Sequence, residues 1–339
     1  MGLATFLLRR IVAGATVLLG VTALTFMLSH LIPGDPVVLW LGRTAQTQPQ
    51  LAAIYVKMYH LHDPLYIQFF YYVSGLLHLQ LGFSPSRAEP VLQAIKESLP
   101  VTLQLVLLCM VITTVLGILS GILSALYAGR LPDKTSRAIY LFGTASPPFL
   151  IPLLLILVFT YLIPVLPNGG LINEFIPLPH PITGFSLVDA VLTGDWAAFG
   201  SLVQHMLLPA LALSLASYGI VTRVLRSSIL EVMGSNFVRA ARARGIPERR
   251  VLYNYAFKNS LVELITLLTL IFNFTLTGDV FVEQIFSYPG LGRYALDAAL
   301  AFDYPGLFGT TLVYAVFVVG ANLLADLLYA VVDPRISLY

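Results

Sequence analysis

Charge is scarce in this chain. Of its 339 residues, 19 are Lys or Arg and 17 are Asp or Glu, together 11%, against about 25% in an ordinary soluble domain. So few charges cannot cover a soluble globule, so the composition argues against a soluble enzyme and a disordered chain. The same scarcity argues against a nucleic-acid binder, and the net charge of +2 hides an uneven distribution of charge along the chain. There is one cysteine, Cys109. No disulfide can close within the chain and no cysteine cluster can hold a metal. Cys109 lies in an apolar run and reads as a small buried hydrophobe. The six histidines show no paired ligand spacing, so no metal site is expected. There is no G-x-x-x-x-G-K-[ST] phosphate loop and no local Ser-His-Asp or Cys-His motif. The chain is not expected to be an enzyme. No low-complexity tract or convincing repeat is present.

What the chain has is apolar length. Hydrophobic residues make up 58% and mean hydropathy is +0.85. A spanning helix needs about 20 mostly apolar residues, and six stretches meet or approach this. They are Ile11–Leu31, Val101–Tyr127, Ala138–Leu166, Leu202–Thr222, Ser260–Phe281 and Tyr304–Val332. The fifth is the weakest, lying between Glu263 and Asp279. The third carries Pro147, Pro148, Pro152 and Pro164, which predicts a kink. Basic residues in short loops set orientation. With the N-terminus inside, 14 of the 19 basic residues fall on the inner side. The expected fold is an all-α membrane protein of six helices with both termini inside. Residues 1–31 form the first segment, 32–99 a small external subdomain of short helices, and 100–339 the remaining core.

The inner loop between spans four and five, Arg223–Asn259, is the most structured in sequence. Ser235-Asn236 suits a helix cap, and Phe237–Arg244 suits a short helix. Gly245 suits a left-handed C-terminal cap, and Pro247-Glu248 the first turn of another helix. Phe237, Ala240, Ala241 and Arg244 share a helical face by spacing. An apolar knob beside small residues and arginines suits a groove in a partner. The same arginines would also serve to orient the chain and touch anionic lipid.

Polar groups inside spans are candidates for a pathway. Asn273, Thr277 and Asp279 lie in the outer half of span five and would suit peptide groups, although Asn and Thr also bond helix to helix. Glu263 and Asp326 are expected to pair with basic loop residues, and His205 and Asn322 to be packing or interfacial groups. Tyr288-Pro289-Gly290-Leu291-Gly292 reads as a re-entrant outer turn. Pro289, Gly290 and Gly292 there suit an outer gate, a docking surface or a plain turn.

The segment Phe237-Val238-Arg239-Ala240-Ala241-Arg242-Ala243-Arg244-Gly245-Ile246, with Glu248-Arg249-Arg250-Val251-Leu252 following, resembles the coupling loop of permease subunits in bacterial and archaeal ABC importers. Arg239 stands where Glu is common in the wider family. Tyr255, Phe257 and Lys258 stand where Ile, Leu and Pro are common. The pattern is closest to the subfamily for dipeptides, oligopeptides, nickel chelates and some oligosaccharides. Leu8-Arg9-Arg10, Ile32-Pro33-Gly34-Asp35-Pro36, the run Val282–Gly292, Asp303-Tyr304-Pro305 and Asp333-Pro334-Arg335-Ile336 resemble the same subfamily. Length and outer loop fit its B-type partner. The resemblance implies a second, similar permease, two cytoplasmic ATPases that carry ATP and Mg, and an external binding protein. It also implies a place in a prokaryotic cell membrane. By carry-over, Phe237, Arg239, Ala240, Ala241, Arg244 and Gly245 would touch an ATPase. The alternative is a secondary transporter driven by an ion gradient.

Overall fold

The structure is a computed structural model. It describes residues 3–31, 50, 53–54, 56–57, 60, 63–278 and 280–332. Helix α1 is Leu3–Leu31 and α2 is Leu65–Leu77. A two-residue antiparallel ladder follows, with Phe83 opposite Pro90 and Ser84 opposite Glu89 (β1, Phe83–Ser84; β2, Glu89–Pro90). Then come α3, Val91–Leu126; α4, Leu131–Ala145; and α5, Leu150–Ile156, which continues as a π-helical turn over Leu157–Leu162. Helix α6 is Ser186–Thr193, α7 Trp196–Met233 and α8 Asn236–Ala243. Helix α9 is Glu248–Arg250 and runs through a π-helical stretch, Val251–Phe257, into α10, Lys258–Gly278. The chain ends in α11, Val280–Ile285; α12, Leu291–Leu300; and α13, Tyr304–Val332.

Among the described residues, four helical stretches are long and apolar enough to cross a membrane: Leu8–Leu28, Val91–Leu126, Trp196–Met233 and Tyr304–Leu328. The pair α4 and α5 makes a fifth if counted as one span bent by 111°. The bend falls at Ser146-Pro147-Pro148-Phe149. Neither proline can continue a helical hydrogen-bond ladder, as the sequence led us to expect. The apolar stretch of the expected fifth span is shorter, Glu263–Thr277. Large apolar side chains point outward along these helices, among them Leu19 and Leu24 on α1, Leu107, Val111 and Leu119 on α3, and Leu324 and Leu328 on α13. Patches of that extent are not stable in water. This is a multi-pass, all-α membrane protein.

Two features of residues 32–99 differ from the sequence expectation. Residues 91–99 were placed in the external segment, but they run unbroken into α3, with Pro100 inside that helix. The external segment also includes the β1–β2 ladder, besides helix. Its residues 32–49 lie outside the described residues.

Helix α7 is central. More than half the residues of its most apolar stretch are buried, against few on α13. Helix α3 packs against it through Gly117 and Gly121, four residues apart. A Cβ on Gly117 would lie 2.5 Å from Val221 Cγ1, and one on Gly121 would lie 3.1 Å from Leu225. Small residues at this spacing let helix backbones approach closely in a membrane. Between them the hydroxyls of Ser120 and Thr222 meet at 2.5 Å. At the edge, α1 joins α13 through Arg10 Nε and Asp326 Oδ2, 3.0 Å apart. Asp326 thus pairs with a basic residue, though with one inside α1 and not in a loop.

Candidate functional site

The loop between α7 and α10 folds as its punctuation suggests. Ser235 holds extended backbone at the start of α8, but its hydroxyl donates back to the Val232 carbonyl at 2.6 Å and does not cap the helix. The far end is a Schellman turn. Gly245 takes φ +74°. Its amide donates to Arg242 O at 2.9 Å, and the Ile246 amide donates to Ala241 O at 3.2 Å. Pro247 then stands just ahead of α9.

One face of α8 is fixed to the body of the protein. Val238 and Ala241 are buried with Val251, against Val232, Met233, Ile246 and Tyr255. The opposite face is open. Phe237 is 48% exposed, and Arg239, Ala240, Arg244 and Gly245 are exposed as well. Ala241 departs from the sequence reading. It was grouped with the partner-facing residues, yet it is only 4% exposed and turns inward. Its small side chain lets α8 sit close to the end of α7.

A clasp across the Gly245 turn was not anticipated. Arg242 donates from Nε to Glu248 Oε1 at 2.6 Å and from Nη2 to Oε2 at 3.2 Å. The hydrogen bond from Arg242 holds the Glu248 carboxyl below its ordinary value, against the opposing effect of burial. Residues six apart do not face each other on a helix, so only the turn brings them together. The exposed face of α8 is therefore a pre-shaped cationic and aromatic surface.

The outer candidates behave differently. Asn273 Nδ2 donates to Asn322 Oδ1 at 3.1 Å, which joins α10 to α13. Thr277 donates to the Asn273 carbonyl at 2.9 Å. Asp279 lies outside the described residues. Glu263 is exposed near the start of α10. His205 is buried, with Nδ1 at 2.7 Å from the Ser201 carbonyl. In the turn before α12, Pro289 is exposed while Gly290 and Gly292 are buried. Neither glycine is available on the surface as a docking group. Glu283 fills the space behind Gly290 with no exposure to solvent. It accepts from the Thr102 hydroxyl at 2.5 Å and from the Arg293 amide at 2.8 Å. Thr102 Oγ1 accepts in turn from the Leu291 amide at 2.7 Å. Glu283 and Thr102 thus satisfy first-turn amides of α12, which a helix cannot satisfy itself. Sequence reasoning missed both, because they come from different helices. Among the described residues no group of three or more His, Cys, Asp or Glu could hold a metal.

Comparison with known proteins decides what this arrangement belongs to. The family described as "Binding-protein-dependent transport system inner membrane component" matches residues 95–338, and the N-terminal family that accompanies it matches residues 3–106. The chain belongs to this permease family. It is a transport subunit of an ABC importer and not a catalyst. Its relatives agree along nearly the whole length. The probable D,D-dipeptide transport system permease protein of Escherichia coli is 38% identical over 321 residues, 95% of this chain and 94% of that one. The dipeptide transport system permease protein of the same species is 35% identical over 333 residues, 98% of each. The di/tripeptide transport system permease protein of Pseudomonas aeruginosa is 35% identical over 332 residues, 98% of each. These matches place the permease among the dipeptide and oligopeptide type.

Proposed function

We propose that this permease forms half of the pathway of an ATP-driven peptide importer in a bacterial inner membrane. Helix α8 docks in a groove on one of two cytoplasmic ATPases, which bind ATP and Mg. The observation that carries this reading is α8 itself: a short helix fixed by Val238 and Ala241, stopped by Gly245, with Phe237, Arg239, Ala240 and Arg244 turned outward. Phe237 would enter the groove, and the arginines would meet acidic rim residues or phosphate groups of anionic lipid beside it.

A second, similar permease completes the pathway, and an external binding protein delivers the substrate. Peptide is the preferred substrate because the relatives named above are dipeptide and di/tripeptide permeases. In this reading α10 is the fifth of six spans, the N- and C-termini are inside, and Asn273, Thr277 and Asp279 line the outer pathway. Pro289, Gly290 and Gly292 belong to its outer gate.

Mild-detergent purification of the tagged chain from its own cell, followed by mass spectrometry, tests this. A second permease and one or two ATPases should come with it, in a complex that hydrolyses ATP. A chain recovered only with copies of itself, and able to take up solute on an ion gradient, would point instead to a secondary transporter.

A further inference from the structure

One cluster of charge plays no part in the α8 contact. Asp133 lies in the first turn of α4 and its side chain is fully buried. Four donors surround its carboxylate. Arg226 on α7 donates from Nε to Oδ1 at 2.8 Å and from Nη2 to Oδ2 at 2.9 Å. Arg137 Nη2 donates to Oδ2 at 2.8 Å, and so does the Gly129 amide at 2.8 Å. The cluster ties the α3–α4 turn and α4 to α7, two turns before α7 ends at Met233.

Beyond the cluster α4 and α7 stay in contact with no spare room. A Cβ on Gly219 would lie 2.4 Å from Tyr140 Cβ, and one on Gly143 would lie 2.3 Å from the Leu215 carbonyl oxygen. The contacts pair 133 with 226, 140 with 219 and 143 with 215. One series rises as the other falls, so the helices are antiparallel. Steps of seven, or of three to four, keep the contacts on one face of each helix. At its other end α4 stops at Ala145, where the chain bends by 111° into α5. Helix α8, for its part, is packed onto Val232 and Met233 at the end of α7.

We infer that Asp133 is a positioning residue for coupling: it locks α4 to α7, so that displacement of α8 is carried along both helices to the bend at Ser146–Phe149. This rests on reading α8 as the ATPase contact. Stability alone is a weak reason for such a cluster, because well-packed apolar side chains often replace a buried ion pair without loss. What a bidentate guanidinium–carboxylate pair adds is a single register. The glycine contacts set how closely the two helices approach, and the paired fork adds a directional, charged link at one point along them.

The test uses the whole complex in lipid vesicles. Uptake and ATP hydrolysis are measured per complex. Spin labels replace the exposed residues Lys134 and Ser227, and the buried Cys109 is left in place. In the native protein the label distance should be the same with and without ATP. Asp133→Asn keeps the shape and removes the charge. It should lower uptake per ATP hydrolysed by about tenfold, within the range seen for residues that carry coupling, and broaden the label distance. Arg226→Lys, which loses the fork, should do the same to a smaller degree. The inference is overturned if the native distance changes with ATP by more than about 2 Å, the size of an ordinary interfacial helix shift. It is also overturned if Asp133→Asn forms an intact complex with the native ratio of uptake to hydrolysis. Should Asp133→Asn fail to assemble, the native distance decides alone. Absence of any ATPase from the native complex removes the proposed function first, and this inference with it.

Discussion

Gly290→Ala should be among the most damaging small substitutions in the chain. Gly290 is buried, and a Cβ there would lie 2.0 Å from Glu283 Oε1 and 2.3 Å from its carboxyl carbon. A flexible side-chain end normally moves aside. This one cannot do so cheaply, because Glu283 has no solvent exposure and is held by Thr102 and the Arg293 amide. Overpacking a tight site costs about 1–3 kcal/mol, and losing hydrogen bonds to a charged group costs about 1.5–3 kcal/mol. The combined loss is about 2.5–6 kcal/mol, which corresponds to a fall of about 5–12 °C in the thermal midpoint of the purified complex. Gly200→Ala in α7 is the control, since a Cβ there meets nothing within 4 Å. It should be neutral or stabilising by up to about 1 kcal/mol. The decisive step is a double-mutant cycle. In a Glu283→Ala background the obstacle is gone, and adding Gly290→Ala should then cost less than about 1 kcal/mol. If Gly290→Ala alone leaves the midpoint within a degree or two of native, or if its cost is the same with and without Glu283, the packing argument is refuted.

Gly245→Pro should abolish ATP-driven uptake in a well-expressed protein, because proline cannot take φ +74° and removes the amide that closes the turn; uptake that survives would sink the assignment of α8. Gly245→Ala meets no neighbour within 4 Å, so it should cost only about 1–2 kcal/mol of left-handed backbone strain and keep measurable uptake. Asn273→Leu and Asn322→Leu both break the bond between α10 and α13, which is worth about 0.6 kcal/mol in a membrane. If Asn273 also lines the pathway, its variant should raise the KM for uptake while Asn322→Leu does not; equal effects would make the pair a structural link only. Asp189 in α6 is buried, which raises its pKa, but the Thr183 hydroxyl and the Thr183 and Gly184 amides outweigh this and hold its carboxyl below 3.8. A lowered folded value means that its stabilising effect is full above pH 3.8 and is lost as the pH falls through that lower value. Amide protection at Thr183 and Gly184, corrected for intrinsic exchange, should therefore hold at pH 5 and fall only as the pH is taken below 3.8; protection lost while the pH is still above 3.8 would contradict the sign.

Much of this architecture was legible in one dimension. Scarcity of charge and long apolar runs leave a membrane as the only solvent that suits the chain. Pro147 and Pro148 mark the bend in the third span, because proline removes a donor wherever it stands. Ala243, Arg244 and Gly245 mark the end of α8, because a Schellman turn is a local structure whose left-handed residue favours glycine. Such features depend on neighbours a few residues away. What tertiary structure alone decided is which residues meet across the fold. Spacing could put Ala241 on the same face as Phe237, yet whether that face turns to a partner or to α7 depends on how α8 packs. Asn273 could be read from its place in a span, but only the fold shows that Asn322, far along the chain on another helix, accepts its hydrogen bond. Glu283 and Thr102 form one cap, and Asp133 and Arg226 one lock, only because helices distant in sequence lie side by side. A buried carboxylate must find its donors wherever the fold brings them, and no short-range pattern in the chain records where that is.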